Sequence, residues 1–326
     1  MTKKNYLPPK PALWQGRDDG IAHERLFQSI ECLDLNTSVT PTSTQNGRHY
    51  ALLGFSCDQG VIRNQGRPGA KNAPAAIRKR LANLPLHQTA SVTDVGDIVC
   101  RRSLATAQQQ LGTTVAELLE QGYSPLVLGG GHETAWGHFQ GIDAAGLSED
   151  IGIINFDAHF DLRPLLADGD GSSGTPFLQI AEQQQAKQRD FNYLCLGIQP
   201  LANTRSLFET AEEFGCQYIL AEDFYLQDQA DIMRMIQRFL DAHSRIYLSI
   251  CLDVFSAAHA PGVSAPQAFG LLPQHVLFYL RMIAHSGKVV SMDVVELSPP
   301  FDRDDITATL AAQLLLEYIS STPGIA

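Results

Sequence analysis

Short apolar runs that alternate with longer amphipathic runs are the feature that most restricts the fold of this chain. From Tyr50 onward the apolar runs include YALLGF, PLVLGGG, IGIINFD, FNYLCLGI, RIYLSICLDVF and KVVSMDVVE, and the longer runs include LATAQQQLGTTVAELLEQG and ADIMRMIQRFLDAH. Strands that are apolar on both faces are buried on both faces. The alternation therefore predicts an α/β fold in which helices cover both faces of a mostly parallel sheet.

The start of this α/β unit is placed near residue 48. Residues 1–48 are polar and contain many Pro, Thr and Ser residues around one helix-like stretch, HERLFQSIECL, so they are predicted to form an N-terminal arm over the main body. No internal repeat, linker or change of composition follows. Residues 49–326 are therefore predicted to form a single domain.

Composition restricts the partners and the compartment. The chain has 24 Lys and Arg residues against 35 Asp and Glu residues, a net charge of −11, and no long basic run, which argues against binding to nucleic acid or to an anionic membrane. No window approaches 18 uninterrupted apolar residues. The six cysteines are scattered without a CxxC pair, which favours a reducing cytoplasm. A small-molecule substrate is the expected partner.

Chemically active side chains follow three of the apolar runs. These side chains are His132, Asp157, His159, Asp161, Cys251 and Asp253. Active sites of parallel sheets lie beyond the carboxyl ends of the strands, so these groups are expected to converge in one crevice if their strands are neighbours.

The segment DAHFD carries the strongest signal for a metal. In an extended chain Asp157, His159 and Asp161 face the same side, because alternate residues of a strand share a face. Clustered carboxylates are costly to bury unless a cation neutralises them. Carboxylate-rich sets favour Mn²⁺ or Mg²⁺, and the number of ligands fits two ions that share carboxylates. The alternative is that these residues cap helices and hydrogen-bond a surface loop.

Other catalytic motifs do not match this sequence. GGGHE is not GxGxxG, neither GxxxxGK[ST] nor GxSxG occurs, and the His132–Glu133 pair is followed by His138 where HExxH requires an earlier histidine. The glycines at 129–131 either allow a tight backbone turn under the metal site or serve a purely steric purpose.

Four ordered motifs resemble those of the ureohydrolase superfamily of arginases, agmatinases and formimidoylglutamases. They are GGGHE (129–133), NFDAHFDLR (155–163), SICLDVFSAAHAPG (249–262) and SMDVVELSP (291–299). RPGAKNAPAAIR (67–78) and DVGD (94–97) are similar to the N-terminal motifs of the superfamily, so the resemblance covers roughly residues 50–318. The details are most similar to formimidoylglutamase.

The resemblance implies a three-layer α/β/α fold with a parallel sheet of about eight strands, and two Mn²⁺ ions with a bridging hydroxide. His132, Asp157 and Asp161 would hold one ion, and Asp157, His159 and Asp253 the other. Cys251 stands where the family usually has a second bridging Asp. A thiolate there could still bridge, with a softer metal preference, or the thiol could stand aside and leave water, so metal affinity is expected to fall at one ion more than at the other.

The resemblance also implies a substrate and the residues that bind it. The expected reaction is hydrolysis of N-formimino-L-glutamate to L-glutamate and formamide, in histidine breakdown, by attack of the hydroxide on the amidine carbon. Arg163 would hold a substrate carboxylate, unless it pairs with Asp168 or Asp170. Glu296 would bind the cationic formimino nitrogen. Ser172 and Ser173 are expected to contribute to substrate binding. One of them stands where relatives carry a His thought to shuttle protons, so the expected proton donor is Asp161 or the metal-bound water.

Two alternatives remain open from the sequence. The chain is either an agmatinase or guanidino-acid hydrolase of the same superfamily, or a metal-poor, non-catalytic relative because of Cys251. The resemblance also implies a tendency to form homo-oligomers.

Overall fold

The computed structural model describes residues 4–37, 48–88 and 90–323 of the chain. The strands are β1 Tyr6–Leu7, β2 Glu31–Cys32, β3 His49–Ser56, β4 Ser91–Val99, β5 Tyr123–Leu128, β6 Ile151–Phe156, β7 Asn192–Ile198, β8 Gln217–Leu220, β9 Arg245–Cys251 and β10 Val289–Val295. The helices are α1 Gln59–Arg63, α2 Ala73–Ala82, α3 Leu104–Glu120, α4 Thr134–Ala144, α5 Pro176–Ala186, α6 Arg205–Glu213, α7 Asp223–Leu226, α8 Gln229–Ala242, α9 Pro273–His285 and α10 Ile306–Ser321.

All ten strands belong to one sheet, in the order β1-β4-β3-β5-β10-β9-β6-β7-β8, with β2 paired to β4 outside this path. The eight strands from β3 to β10 are mutually parallel, which confirms the predicted mostly parallel sheet. The expected number of about eight strands was too low for the described residues. The two extra strands, β1 and β2, are only two residues long and so have no periodicity that a sequence could display.

Each face of the sheet has its own hydrophobic core, which confirms the three-layer architecture. Along β3, Tyr50 and Leu52 join the core that contains α2, α8, α9 and α10. Ala51 and Leu53 join the opposite core, which contains α3, α4, α5 and α6. Alternate residues of a strand face opposite sides, so a strand buried on both sides is apolar at most positions.

The described part of the predicted N-terminal arm lies along the edge of the sheet. Strand β1 pairs antiparallel with β4, and β2 pairs parallel with it. The helix-like stretch HERLFQSIECL is a single 3₁₀ turn, Leu26–Gln28, followed by β2. Hydrogen bonds to the segment after α2 replace the helical ones, since the amide of Leu26 donates to the carbonyl of Leu84. Residues 38–47 of the arm lie outside the described residues, and the proposed division near residue 48 remains a prediction.

A buried ion-pair network joins the two N-terminal motifs. Arg78, which is 1% exposed, donates to Asp94 at 2.8 Å and to Asp97 at 2.6 Å. Trp14 of the arm donates its indole N–H to the other oxygen of Asp94 at 2.8 Å. The motifs RPGAKNAPAAIR and DVGD therefore meet in the interior and stabilise this edge of the sheet. Among the described residues, no helix combines the length and apolar character that a membrane crossing requires.

Candidate metal centre

The four central strands of the sheet, β5, β10, β9 and β6, end at one crevice. His132 follows β5, Glu296 follows β10, Cys251 ends β9 and Asp157 follows β6. The order of the strands reverses at this crevice. Strands β3 and β4 lie on the β5 side of it, whereas β7 and β8 lie on the β6 side. Parallel sheets bind ligands at such a switch point, so the expected convergence has a topological cause.

His132 brings a ring nitrogen to two carboxylates. Its Nδ1 lies 3.0 Å from Asp157 Oδ2 and 2.9 Å from Asp161 Oδ2. This Nδ1 is buried, and it makes no hydrogen bond of acceptable geometry within the described chain. A nitrogen that lies close to two carboxylate oxygens without hydrogen-bonding to either is arranged as a metal ligand, with the three atoms directed at a common cation.

A serine on the neighbouring strand determines which nitrogen of His132 carries the proton. Ser249 donates its hydroxyl hydrogen to Asp293 Oδ1 at 2.6 Å, and its oxygen lies 2.9 Å from His132 Nε2. The hydroxyl hydrogen is therefore already used, so the Ser249 oxygen accepts the Nε2–H of the imidazole. Nδ1 of the neutral ring then presents its lone pair to the carboxylates, as metal ligation requires.

The carboxylate of Asp157 is held by two hydrogen bonds. Its Oδ1 accepts the backbone N–H of His159 at 2.8 Å, and its Oδ2 accepts the side-chain amide of Asn155 at 3.0 Å. Asn155 also donates to the hydroxyl oxygen of Tyr193 at 2.9 Å. Each oxygen keeps free lone pairs on the side of the crevice, so this orientation leaves Asp157 able to bind two ions.

The atoms that could bind a metal fall into two groups that share Asp157. One contains His132, Asp157 and Cys251, and the other contains Asp157, His159 and Asp253; within each group the ligand atoms lie within 4.8 Å of one another. The second group is the one predicted from the sequence. The first group differs from the expected one, because Cys251 takes the place of Asp161. Asp161 belongs to neither group, although its Oδ2 contacts His132 Nδ1 at 2.9 Å. The donor set therefore fits two divalent ions.

The pKa pattern shows that this cluster needs positive charge. Burial alone would lower the pKa of His132, but the close carboxylates of Asp157 and Asp161 outweigh it and raise the pKa well above its usual value. Burial alone would raise the pKa of Asp157, but His132 and His159 hold it below its usual range. Burial, with the charge of Asp157, raises the pKa of Asp161 to about 6. Without metal, protons on the imidazoles would supply the charge that cations otherwise provide.

Two of the predicted site residues have unusual backbone conformations. Asp161 has a φ of 51° and Glu296 a φ of 69°, both in the left-handed region that non-glycine residues rarely occupy. Glu296 is fixed there because its amide donates to the carbonyl of Gly130 and its Oε1 accepts the amide of His132 at 2.8 Å. Such strain is concentrated at functional sites, where the surrounding structure compensates for it.

Close packing of two backbone segments explains why a glycine is needed at position 130, before His132. A Cβ at this position would lie 1.7 Å from the carbonyl oxygen of Cys57, so only glycine allows the two backbones to approach. None of the glycines at 129–131 has a positive φ. Of the two interpretations of these glycines, the structure supports the steric one.

The loop after β6 contains the other predicted substrate-binding residues. The backbones of Arg163 and Gly174 are hydrogen-bonded at 2.9 Å, and Phe177 packs edge-on against His132 with ring centroids 5.2 Å apart. The Ser172 hydroxyl accepts the amide of Gly174, and the Ser173 hydroxyl accepts the side-chain amide of Asn64 at 3.2 Å. Both hydroxyls thus hold the loop, and their part in substrate binding remains a prediction.

Arg163 does not form the ion pair that was its alternative explanation. Asp170 pairs with Arg63 at 2.5 Å, and Asp168 Oδ1 accepts the amide of Asp170. Within residues 4–37, 48–88 and 90–323, no ion pair of Arg163 is formed. Its side chain is exposed and lies against Gly174, where an added Cβ would be 2.8 Å from Arg163 Cδ.

Sequence reasoning missed the polar residues that support the ligands from inside the sheet. Asn155, Ser249 and Asp293 lie in strands that are otherwise apolar, and each is fully buried. Asp293 also accepts from Tyr247, and His138 on α4 lies 2.7 Å from its Oδ2. A polar residue in the middle of a doubly buried strand is the signal that could have identified them, because such a residue must have a partner.

Replacement of Ser249 by Ala is expected to lower divalent-metal affinity by about 10- to 100-fold, since outer partners of a ligating histidine have effects of this size. The change removes the hydrogen-bond acceptor of His132 Nε2 and the hydroxyl donor to Asp293 Oδ1, so the ring no longer has a fixed tautomer. Isothermal titration calorimetry with Mn²⁺ measures the effect. Ser286→Ala, at the end of α9, is the control, and equal affinities in the two variants would contradict the assignment.

The sequence profile of the arginase family matches residues 48–320. The chain therefore belongs to the arginase family. It is 44% identical to a formimidoylglutamase of Legionella pneumophila over 318 residues, which cover 97% of this chain and 98% of the relative. It is 45% identical to a formimidoylglutamase of Geobacillus thermodenitrificans over 321 residues, which cover 96% and 97%.

Solved structures of the same family have the same fold. A formimidoylglutamase of Bacillus subtilis aligns with a TM-score of 0.80 at 23% identity, covering 94% of this chain and 97% of that one. A formiminoglutamase of Trypanosoma cruzi, solved with Mn²⁺, aligns with a TM-score of 0.76 at 24% identity, covering 86% and 97%. At these identities the likeness supports the three-layer fold.

Proposed function

We propose that this protein hydrolyses N-formimino-L-glutamate to L-glutamate and formamide. The observation that carries the proposal is the identity of 44–45% with formimidoylglutamases over nearly the whole length of both chains. The described site supports it, because a carboxylate-rich candidate metal centre is followed, two residues after Asp161, by Arg163, which is exposed and has no acidic partner in the described chain. The proposed role is in histidine degradation in the cytoplasm, by a chain with an N-terminal arm of residues 1–48, one catalytic domain of residues 49–326 and a tendency to form homo-oligomers.

Two divalent ions are proposed as cofactors, with Mn²⁺ favoured by the manganese in the T. cruzi relative. His132, Asp157 and Asp161 would hold one ion, and Asp157, His159 and Asp253 the other. When bound, the ions supply Lewis-acid chemistry that makes water a hydrolytic nucleophile near neutral pH.

Glu296 and Asp161 are the residues proposed to act on the substrate. Glu296 is 5% exposed and has one oxygen held by the amide of His132, so its carboxylate is fixed beside the ligands. A fixed negative charge stabilises the positive charge of the amidine nitrogens as the carbon becomes tetrahedral. Asp161 reaches the crevice with 12% of its side chain exposed and is proposed to donate the proton that the departing amine requires.

Arg163 is proposed to hold a carboxylate of the substrate. Its guanidinium is exposed and has no acidic partner in the described chain, and formiminoglutamate carries two carboxylates. Agmatine has none, so a cation at this position favours an amidino acid over agmatine. The same argument makes agmatinase the weaker alternative.

The test is turnover of the purified, Mn²⁺-loaded protein with formiminoglutamate, arginine, agmatine and guanidinobutyrate. Formiminoglutamate is expected to have the highest kcat/KM. Arginine or agmatine as the best substrate would overturn the proposal, and the absence of turnover with all four at every metal concentration would favour a non-catalytic relative.

Replacement of Arg163 by Ala is expected to lower kcat/KM for formiminoglutamate by about 10- to 100-fold, mainly through KM, because a charge-assisted carboxylate contact is lost. Any residual turnover of agmatine should not change. Steady-state kinetics measure both effects. Arg205→Ala, on the exposed side of α6, is the matched control and should behave as the unchanged protein does. An equal loss of kcat/KM for formiminoglutamate and agmatine would show that Arg163 does not favour substrates that carry a carboxylate.

A further inference from the structure

Cys251 lies where the two ligand groups meet. It is the last residue of β9, is 1% exposed, and its Sγ groups with the ligand atoms of His132 and Asp157. The thiol also donates to Asp253 Oδ1, with the two atoms 2.9 Å apart. The sulfur is therefore directed at carboxylates and an imidazole, and it does not pack as a small apolar side chain would.

The unpartnered nitrogen of His132 is a second, independent observation at the same place. Nδ1 is fully buried and faces Asp157 and Asp161, and in the neutral ring, whose proton lies on Nε2 toward Ser249, it has a free lone pair for a metal. With Asp157 and Cys251 it offers one nitrogen, one oxygen and one sulfur donor to a single cation, and Asp161 lies beside it. The other half of the centre, formed by Asp157, His159 and Asp253, offers nitrogen and oxygen donors.

We propose that Cys251 binds as a thiolate to the ion held by His132, and that this half of the centre takes a thiophilic divalent ion, Zn²⁺ or Co²⁺, in preference to Mn²⁺. Soft sulfur ligands select such ions, whereas carboxylate and imidazole ligands suit Mn²⁺ in the other half. On binding, the S–H bond of Cys251 breaks, its proton passes to solvent, and a bond from sulfur to the metal forms. The inference rests on the proposed metal-dependent hydrolase and specifies its cofactor as a mixed-metal centre.

The test follows Co²⁺ binding to the metal-free protein under reducing, oxygen-free conditions by absorbance spectroscopy. The expected result is a thiolate-to-cobalt charge-transfer band in the near ultraviolet that saturates with a single equivalent of ion. Zn²⁺ should remove the band, and a large excess of Mn²⁺ should not. Failure of Co²⁺ to bind, a bound ion without the band, or removal of the band by Mn²⁺ would each overturn the proposal.

Three variants sharpen this experiment. Cys251→Ser and Cys251→Asp should bind Co²⁺ without the band, whereas Cys216→Ser, which changes a partly buried cysteine after α6, should keep it. Cys251→Asp should also raise Mn²⁺ affinity in this half by at least about tenfold, because it restores an oxygen ligand. Persistence of the band in Cys251→Ser contradicts the proposal. The unchanged protein gives a decisive result even if a variant fails to fold.

The same measurements separate this inference from the proposed function. A band that depends on Cys251, in a protein that does not hydrolyse formiminoglutamate with any pair of ions, supports thiolate ligation and removes the hydrolase assignment. Hydrolysis of formiminoglutamate by a protein that shows no band supports the hydrolase assignment and removes the inference of thiolate ligation.

Discussion

Replacement of Asp157 by Asn is expected to lower kcat/KM for formiminoglutamate by at least about 10³-fold, which corresponds to about 4 kcal/mol of lost transition-state stabilisation. Asp157 belongs to both ligand groups, so the change removes a negatively charged ligand from each ion. An amide oxygen is a weaker ligand for a divalent cation than a carboxylate. Metal content after dialysis and steady-state kinetics measure the two effects together.

The control for this experiment is Asp190→Asn, which alters an exposed carboxylate in the loop before β7 and makes the same change of charge. It should retain both ions and full activity. If Asp157→Asn also bound two ions with unchanged affinity, the shared position of Asp157 in the centre would be wrong.

Replacement of Arg78 by Met is expected to destabilise the protein by about 3–5 kcal/mol, the cost of removing one partner from a buried ion pair. Arg78 is the partner of Asp94 and Asp97 and also donates to the carbonyl of Gly96 at 2.9 Å, so the change leaves a fully buried carboxylate without its cation. Thermal unfolding should occur several degrees lower, because a stability loss of this size shifts Tm.

Arg80→Met is the matched control, since Arg80 lies on the same helix and pairs with Asp305 at the surface. Exposed ion pairs contribute about 0–1 kcal/mol, so this variant should unfold close to the unchanged protein. Equal losses in the two variants would show that burial of Arg78 does not determine its contribution. Activity per folded molecule should remain similar in both variants, because neither residue reaches the metal centre.

The convergence of the candidate ligands was predictable because it depends on local chemistry and on one topological rule. Asp157, His159 and Asp161 follow an apolar run, and a parallel sheet brings the ends of such runs to one edge. The supporting residues were not predictable in the same way. Asn155 contacts Tyr193 on the neighbouring strand β7. Ser249 contacts Asp293, which lies directly opposite it in the register between β9 and β10. That register is a property of the assembled sheet.

The contacts of the N-terminal segment were also not predictable from the sequence. Its polar composition predicted an arm over the main body but gave no sign of the anchor: Trp14 is 7% exposed, and its indole N–H donates to Asp94, 80 positions along the chain. Two-residue strands such as β1 form because an edge of the sheet is available to pair with them. Propensity over so short a stretch is too weak to predict this.

The sequence by itself determined the α/β class and the family, and it named candidate metal ligands, because apolar periodicity and closely spaced polar residues can be read directly from the order of the residues. Three features became apparent only from the tertiary structure. Arg163 has no acidic partner among the described residues, Ser249 determines which ring nitrogen of His132 is protonated, and the Cys251 thiol faces the candidate ligands. Each of these depends on distances between residues far apart in the chain, and those distances exist only once the strands are paired and the sheet is packed.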